Sequence, residues 1–373
     1  EMEDERERES EGDRDRGKRK IRSGNSEGKG KEDHWIQQVV RLLDMAVIMA
    51  GAPEREEMIE ELLSTLQIYL ESQDSDRPPR KKRREEEEAF PTKGENVHEI
   101  QYPIPTRSAL SMEAFEKHLK TGQPLVIRDA LTHWPALHER PWKSPGYLLK
   151  RTFGGRRLVP VEVGRSYTDE GWGQSIMTFR DFMNRYLLKN SSNGHDSKGE
   201  NGDSIAIAYL AQHDLLSQIP SLRADISIPD YCYTSPPPPA PGTPLACKSP
   251  QPKLEDPLLN AWFGPAGTIS PLHTDPYHNI LCQVVGRKYV RLYSPEESAR
   301  LYPRGVDAKS GVDMSNTSEV EVEGADVGRF PLFQEAKFLE CVLEEGECLY
   351  VPVGWWHYVR SLSVSFSVSF WWN

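Results

Sequence analysis

The feature that most constrains this chain is its final run, SLSVSFSVSFWW, in which small polar and large apolar residues alternate from Ser361 onward. A period of two belongs to a strand, whose successive side chains point to opposite faces. Leu362, Val364, Phe366, Val368 and Phe370 share one face; Ser361, Ser363, Ser365, Ser367 and Ser369 share the other, and Trp371 has the serine parity. One reading is an edge strand with a solvated serine face. The other takes the strand as regular from His357, which puts His357 on the serine face. Small side chains there leave a cavity, and Trp371 closes its end. From Asn260 onward, turn signals at Gly264, Gly286, Gly346 and Gly354 punctuate strand-like runs, the pattern of an antiparallel sandwich or barrel.

Upstream the elements are mixed. Ser111 precedes a helix over Met112 to Lys120, and Pro124 to Ile127 reads as a buried strand. Leu158 to Val163 reads as a second strand and Phe179 to Leu188 as a helix. The polar stretch 190–204 and the Pro-rich stretch 234–257 read as surface insertions, because strand-like sequence resumes after each. The expected organisation is a charged, disordered tail (1–33), a helical module (34–75), a charged linker (76–95) and a main domain (96–373). In the module, Trp35, Val39, Leu42, Leu43 and Ala46, then Met58, Leu62, Leu63, Leu66 and Leu70, recur at helical spacing around Gly51 and Pro53. That predicts a helical hairpin, read as a packing module in preference to a partner-binding arm.

Charge narrows the function. The 373 residues carry a net charge of -11 and are 37% hydrophobic. There is no global basic signature, so direct nucleic-acid binding is not expected. No apolar run is long enough to span a membrane, and EMEDERERES has no signal-peptide core. Position 1 is not Met, which leaves open whether the native start is present. The cations Arg80 to Arg84, followed by Glu85 to Glu88, could serve nuclear import or form only a solvated charge run; cytoplasmic residence stays open. The five cysteines are odd in number and form no CxxC pair, so free thiols are the simpler reading.

Three features carry the chemistry. His273 and Asp275 stand two apart, so on a strand both point to one face. His357, set among large apolar residues, completes two histidines and one carboxylate. That set matches the facial triad that holds Fe(II) and leaves other coordination positions open; zinc could also use it. Lys288 has the parity of Val290 and Leu292, which puts an ammonium on the apolar side of a strand. A buried ammonium needs an anion, and a dicarboxylate cosubstrate would supply one; the alternative is a lysine that snorkels to the surface.

The stretches AWFGPAGTISPLHTDPYHNILCQVVGRKYVRLYSP and GECLYVPVGWWHYVRSLSVSFSVSFWWN, with YLAQH and IPDYC, resemble the JmjC-domain oxygenases over residues 96–373. The resemblance implies a mixed α+β chain: a double-stranded β-helix, the cupin-like jelly roll, with flanking helices and a small helical N-terminal region. It implies Fe(II) on His273, Asp275 and His357, with 2-oxoglutarate and dioxygen as cosubstrates. It also implies that Lys288 and Asn279 engage 2-oxoglutarate, that Tyr209 and Ser270 contribute, and that Trp371 lines the pocket. Glu162, Trp262 and Gln212 are implied at the substrate, where a carboxylate beside an indole suits a cationic side chain. The implied partner is a protein or peptide bearing arginine or methyl-lysine, a histone tail or another nuclear protein among them.

Three outcomes stay open at this stage: hydroxylation of a protein side chain with arginine favoured, demethylation of histone methyl-lysine at the same site, or a catalytically silent binding module. The insertions and the variable stretch between Tyr302 and Pro331 are expected to leave the metal site untouched. His278, near the HxD pair, is expected to be turned away after Pro276.

Overall fold

Two β-sheets stand at the centre of the main part of the chain. The computed structural model describes residues 34–75, 89–90, 94–169, 171–188, 207–239, 246, 251–306 and 311–373. The tail 1–33, the cation run with its following glutamates, the loop 190–204 and part of the Pro-rich stretch lie outside the described residues.

In chain order the strands are β1 (Thr106–Ser108), β2 (Leu125–Arg128), β3 (Leu158–Val163), β4 (Gly173–Thr178) and β5 (Ala208–His213). Then come β6 (Leu258–Gly264), β7 (Ile269–Thr274), β8 (His278–Val285) and β9 (Lys288–Tyr293). The last are β10 (Phe338–Leu343), β11 (Cys348–Val351), β12 (Trp356–Ser361) and β13 (Ser365–Trp372). Nine strands form one sheet in the order β1-β2-β11-β8-β13-β6-β5-β3-β4, and four form the other, β10-β9-β12-β7. From β6 to β9 and again from β10 to β13, successive strands alternate between the two sheets and pair antiparallel. That alternation is the double-stranded β-helix, the jelly roll in which two sheets wind around one interior.

Each sheet is buried on both faces, which explains the density of apolar residues on both parities of β9. Between the sheets, Val126, Leu281 and Leu349 of the large sheet meet Val290, Leu292, Cys341 and Leu343 of the small one. Outside the large sheet, Phe366, Val368 and Phe370 pack with Trp134, Trp142, Phe179 and Phe182 from the helical layer. Outside the small sheet, Leu272, Tyr289, Tyr293 and Tyr358 are covered by Leu301, Val322 and Ala336 from the connection between β9 and β10.

The helices of this layer follow local signals. The helix Met112–Leu119 starts where Ser111 accepts from the Ala114 amide, a side-chain cap on a free N–H. The helix at Phe179 is α-helical only to Phe182 and continues as a π-turn over Met183–Leu187, so the expected helix is present but wider in its second half.

The C-terminal alternation differs from its expectation. It is two strands, not one: β12 ends at Ser361 in the small sheet, the chain bends at residues 362–364, and β13 begins in the large sheet. The turn between β8 and β9 pins this crossing. Leu362 N–H donates to Arg287 O (2.9 Å), and Arg287 N–H donates to Ser363 Oγ (3.1 Å). β13 lies between β8 and β6 and is not an edge strand, so its serines are buried. Three of them are hydrogen-bonded to neighbouring strands. Ser367 Oγ donates to Gln283 Oε1 (2.7 Å), Gln283 Nε2 donates to Ser365 Oγ (2.9 Å), and Trp262 Nε1 donates to Ser369 Oγ (2.9 Å).

The N-terminal helices, residues 34–50 and Glu56–Ser75, form a separate unit together with residues 156–158. Gly51, at φ +65°, ends the first helix by donating to Val47 O. Its inward face is not the predicted one. Ile36, Val40 and Asp44 are buried at successive helical turns, whereas Trp35, Val39 and Leu42 are exposed. In the second helix, Ile59, Leu63 and Leu66 are buried and Met58 and Leu62 are exposed. Apolar residues stand next to one another in this sequence, so periodicity alone did not choose between adjacent faces. Asp44 helps decide: its buried carboxylate pairs with Arg157 (2.7 Å) and accepts from Leu158 N–H (2.7 Å) within the same unit, and a buried carboxylate without such partners would cost several kcal/mol. No helix among the described residues is long and apolar enough to cross a membrane.

Candidate metal centre

His273 and His357 are directly opposed across β7 and β12, with their ring centroids 4.1 Å apart. Asp275 follows one residue after the end of β7. Its Oδ2 lies 3.4 Å from His357 Nε2, and its Oδ1 lies 3.7 Å from His273 Nε2. The three ligand atoms lie within 4.8 Å of one another, the one such group of three or more among the described residues.

Each imidazole is held from behind. Nδ1 of His273 is 2.6 Å from Pro271 O, and Nδ1 of His357 is 3.1 Å from Trp355 O. A ring N–H given to a backbone carbonyl fixes the tautomer and leaves Nε2 as a lone pair facing the centre. Burial, and then the neighbouring His357, bring the His273 pKa down to about 4. Burial pushes Asp275 up, but His357, His273 and the Asn279 side chain together outweigh it and hold the carboxyl below its ordinary value. In His357, burial is outweighed the other way by Asp275, which raises it. A neutral His273 and an ionised Asp275 are the protonation states a divalent metal needs from them. Two imidazoles and one carboxylate on one side therefore fit Fe(II) with open positions.

Lys288 opens β9 at 1% exposure. Its Nζ donates to Tyr209 Oη (3.0 Å), and no carboxylate among the described residues pairs with it. Burial alone lowers its pKa to about 7. Tyr209 is bonded in turn to Ser270 on β7. Asn279 and Trp371 are neighbours across β8 and β13, and both keep buried polar atoms without partners, Asn279 Oδ1 and Trp371 Nε1. Buried polar groups are rarely left unmatched. A buried ammonium and these orphaned atoms fit a small polar cosubstrate with a carboxylate for Lys288.

Of the residues expected at the substrate, Glu162 and Trp262 both neighbour Tyr209. Glu162 on β3 is opposite Tyr209, half-buried, and accepts from Trp172 Nε1 (3.3 Å). Burial raises its pKa. The Trp262 ring lies 6.1 Å from that of Tyr209, beside Ser369. Gln212 sits exposed in the bulge where β5 leaves β6, with φ +47°. His278 is carried away as expected: it bonds Tyr350 Oη (2.9 Å) and stacks on that ring.

Sequence reasoning missed Tyr167 and Trp172, aromatic residues in a loop marked by Gly164 and Gly171. Tyr167 feels the charges of both Asp275 and Glu162 and shares a hydrogen bond with Thr317. It also missed the reach of the variable stretch. Thr317 is paired opposite His273, Thr274 N–H donates to Asn316 O (2.8 Å), and Ser318 N–H donates to Leu272 O (2.8 Å). The segment expected to leave the metal site untouched therefore closes the outer edge of the strand that carries His273 and leads into Asp275. Only isolated bridges form there, so no strand pattern marked it.

Comparison with known proteins agrees with this architecture. A family model described as a cupin-like domain matches residues 111–373. A Danio rerio protein named lysine-specific demethylase 8 is 40% identical over 345 residues, 91% of this chain and 75% of its own length. A Xenopus tropicalis protein of the same name is 43% identical over 271 residues, 72% of this chain and 53% of its own length. Drosophila melanogaster Jumonji C domain-containing protein 5 is 42% identical over 271 residues, 72% of this chain and 60% of its own length. The chain thus spans about half the length of the second relative and three quarters of the first. With the jelly roll, the His–Asp–His group and these matches together, the chain belongs to the cupin-like JmjC-domain family of 2-oxoglutarate-dependent dioxygenases.

Proposed function

We propose that this chain hydroxylates an arginine side chain of a protein or peptide, using Fe(II) held by His273, Asp275 and His357. Iron, 2-oxoglutarate and dioxygen together supply the C–H oxidation and release succinate and carbon dioxide; the protein contributes binding, orientation and electrostatics. Lys288 takes one carboxylate of 2-oxoglutarate with Tyr209 and Ser270 beside it, and Asn279 and Trp371 line the same wall.

Glu162 carries the arginine reading. It is a half-buried carboxylate with no cation paired to it among the described residues, and it interacts electrostatically with Tyr209 and Tyr167. Burial disfavours its charge, and an incoming guanidinium would restore it through paired N–H donors. Trp262 and Trp172 add indole faces against which a planar cation can stack.

The second reading is methyl-lysine demethylation, favoured by the name lysine-specific demethylase carried by two of the relatives. The chemical step is common to both; a hydroxylated N-methyl group falls away, whereas a hydroxylated arginine carbon stays. A histone tail or another nuclear protein is the partner class, and nuclear residence rests on the cations Arg80 to Arg84. The test incubates the chain with Fe(II), 2-oxoglutarate and peptides bearing arginine or methyl-lysine, following succinate and peptide mass. Oxygen added to arginine supports the proposal. Loss of a methyl group replaces it with the second reading.

A further inference from the structure

The strand β7 has a neighbour, β12, on one side only within its sheet. That leaves a problem for His273, which it carries, and for Asp275 just beyond its end. Thr274, the residue between His273 and Asp275, ends the strand, and Asp275 lies beyond the last paired position. A strand end with one free edge frays, and unpaired backbone groups at such an edge cost free energy or admit water.

The connection between β9 and β10 removes this freedom at one residue. Thr274 N–H donates to Asn316 O (2.8 Å), and Asn316 Nδ2 donates back to Thr274 O (3.3 Å). Both backbone groups of the residue between the two ligands are thereby bonded to one side chain and its own carbonyl. The amide is oriented from behind: Thr317 Oγ1 donates to Asn316 Oδ1 (3.3 Å), which turns Nδ2 toward Thr274. Thr317 is buried and also bonded to Tyr167. The segment is anchored independently by Ser318, whose Oγ donates to Leu301 O (2.5 Å), and by Arg304, whose Nε donates to Ser318 O (3.1 Å).

We propose that Asn316 is a positioning residue for the metal centre, gripping the Thr274 peptide groups so that His273 and Asp275 converge with His357. It touches neither metal nor substrate and acts through the backbone between two ligands. The proposal rests on the reading that the triad holds a divalent metal. Supporting groups behind metal ligands are typically worth roughly 10- to 100-fold in metal affinity, and an indirect grip belongs at the lower end.

The test titrates Co(II) or Mn(II) into the full chain without cosubstrate and reads the dissociation constant, the Co(II) visible spectrum and the melting temperature of the metal-free protein. Asn316→Ala removes the amide, and Thr317→Val removes the hydroxyl that orients it at similar volume. Arg304→Ala loosens the same segment but leaves the Asn316 grip intact. The expected result is metal binding weakened about tenfold in Asn316→Ala and less in Thr317→Val, with an altered Co(II) spectrum and a metal-free melting temperature close to wild type. Arg304→Ala then binds metal like wild type even where its melting temperature falls. Wild-type affinity and spectrum in Asn316→Ala, or an equal loss in Arg304→Ala, overturns the proposal. Asp275→Ala separates the two readings: if it binds metal as well as wild type does, the triad reading itself has failed.

Discussion

Lys288 is a group whose environment makes a sharp demand. It is buried with one neutral hydroxyl for company, and burial brings its pKa down to about 7. Only the ammonium form pairs with a carboxylate. Affinity for 2-oxoglutarate is therefore expected to be full below about pH 7 and to fall as pH rises above it, by up to about tenfold per unit. Calorimetry with Mn(II) in place of iron, from pH 6 to 9, checks this; a flat profile would remove Lys288 from the cosubstrate. Lys288→Met keeps the stem and loses charge-assisted bonds worth about 1.5–3 kcal/mol, so the KM for 2-oxoglutarate should rise roughly 10- to 100-fold while metal binding is retained. The residues that could be read from sequence were those with an unusual type in an unusual place: two histidines and an aspartate in strand-like runs, a lysine with core parity. Tyr167 and Asn316 were not legible, because a tyrosine or asparagine in a loop is ordinary until the fold brings it against something.

Among the elements, periodicity identified the strands and failed at their ends. The alternation from Ser361 to Phe370 is real on both sides of a crossing that it does not reveal. What forces the crossing is tertiary: Gly286, at φ +71°, lets the β8–β9 turn approach Val364 so closely that a Cβ would collide with its carbonyl. Gly286→Ala should thus be destabilised on the order of 3 kcal/mol, seen as a lowered denaturation midpoint; an unchanged midpoint would show that the turn can move away. Phe366, fully buried, stacks on Phe263 of the neighbouring β6 at 4.5 Å and lies 4.5 Å from the Trp142 ring of the helical layer, so it joins the sheet to that layer. Phe366→Ala should cost about 3–5 kcal/mol with the same readout. In the first helix, neighbouring apolar residues offered two candidate faces, and the buried Asp44–Arg157 pair belongs to the one that turned inward. A long-range ion pair of that kind has no local signature.

For the molecule as a whole, the jelly roll explains why one site can gather residues so far apart in sequence. β7 and β12 are neighbours in the small sheet, while β8 and β13 bring Asn279 and Trp371 from the large one. Glu162 enters from β3, beside Tyr209 on β5, outside the barrel strands proper. On the proposed reading, that placement would let substrate choice vary with the β3 and β5 side while the metal stays with β7 and β12. Glu162→Gln, which removes the charge and little volume, should raise the KM for an arginine peptide at least about tenfold, as loss of a charged hydrogen-bond partner does. Its 2-oxoglutarate affinity, measured without peptide, should stay near wild type.

On the proposed function, His273, Asp275 and His357 hold the iron that drives oxidation of a protein arginine. The most direct measurement compares wild type with Asp275→Ala under labelled dioxygen, weighing an arginine peptide and quantifying succinate in the same reaction. The expected result is one labelled oxygen on the arginine with matching succinate in wild type, and neither product in the variant. Full activity in Asp275→Ala, or succinate and a lost methyl group only with methyl-lysine peptides, would contradict it.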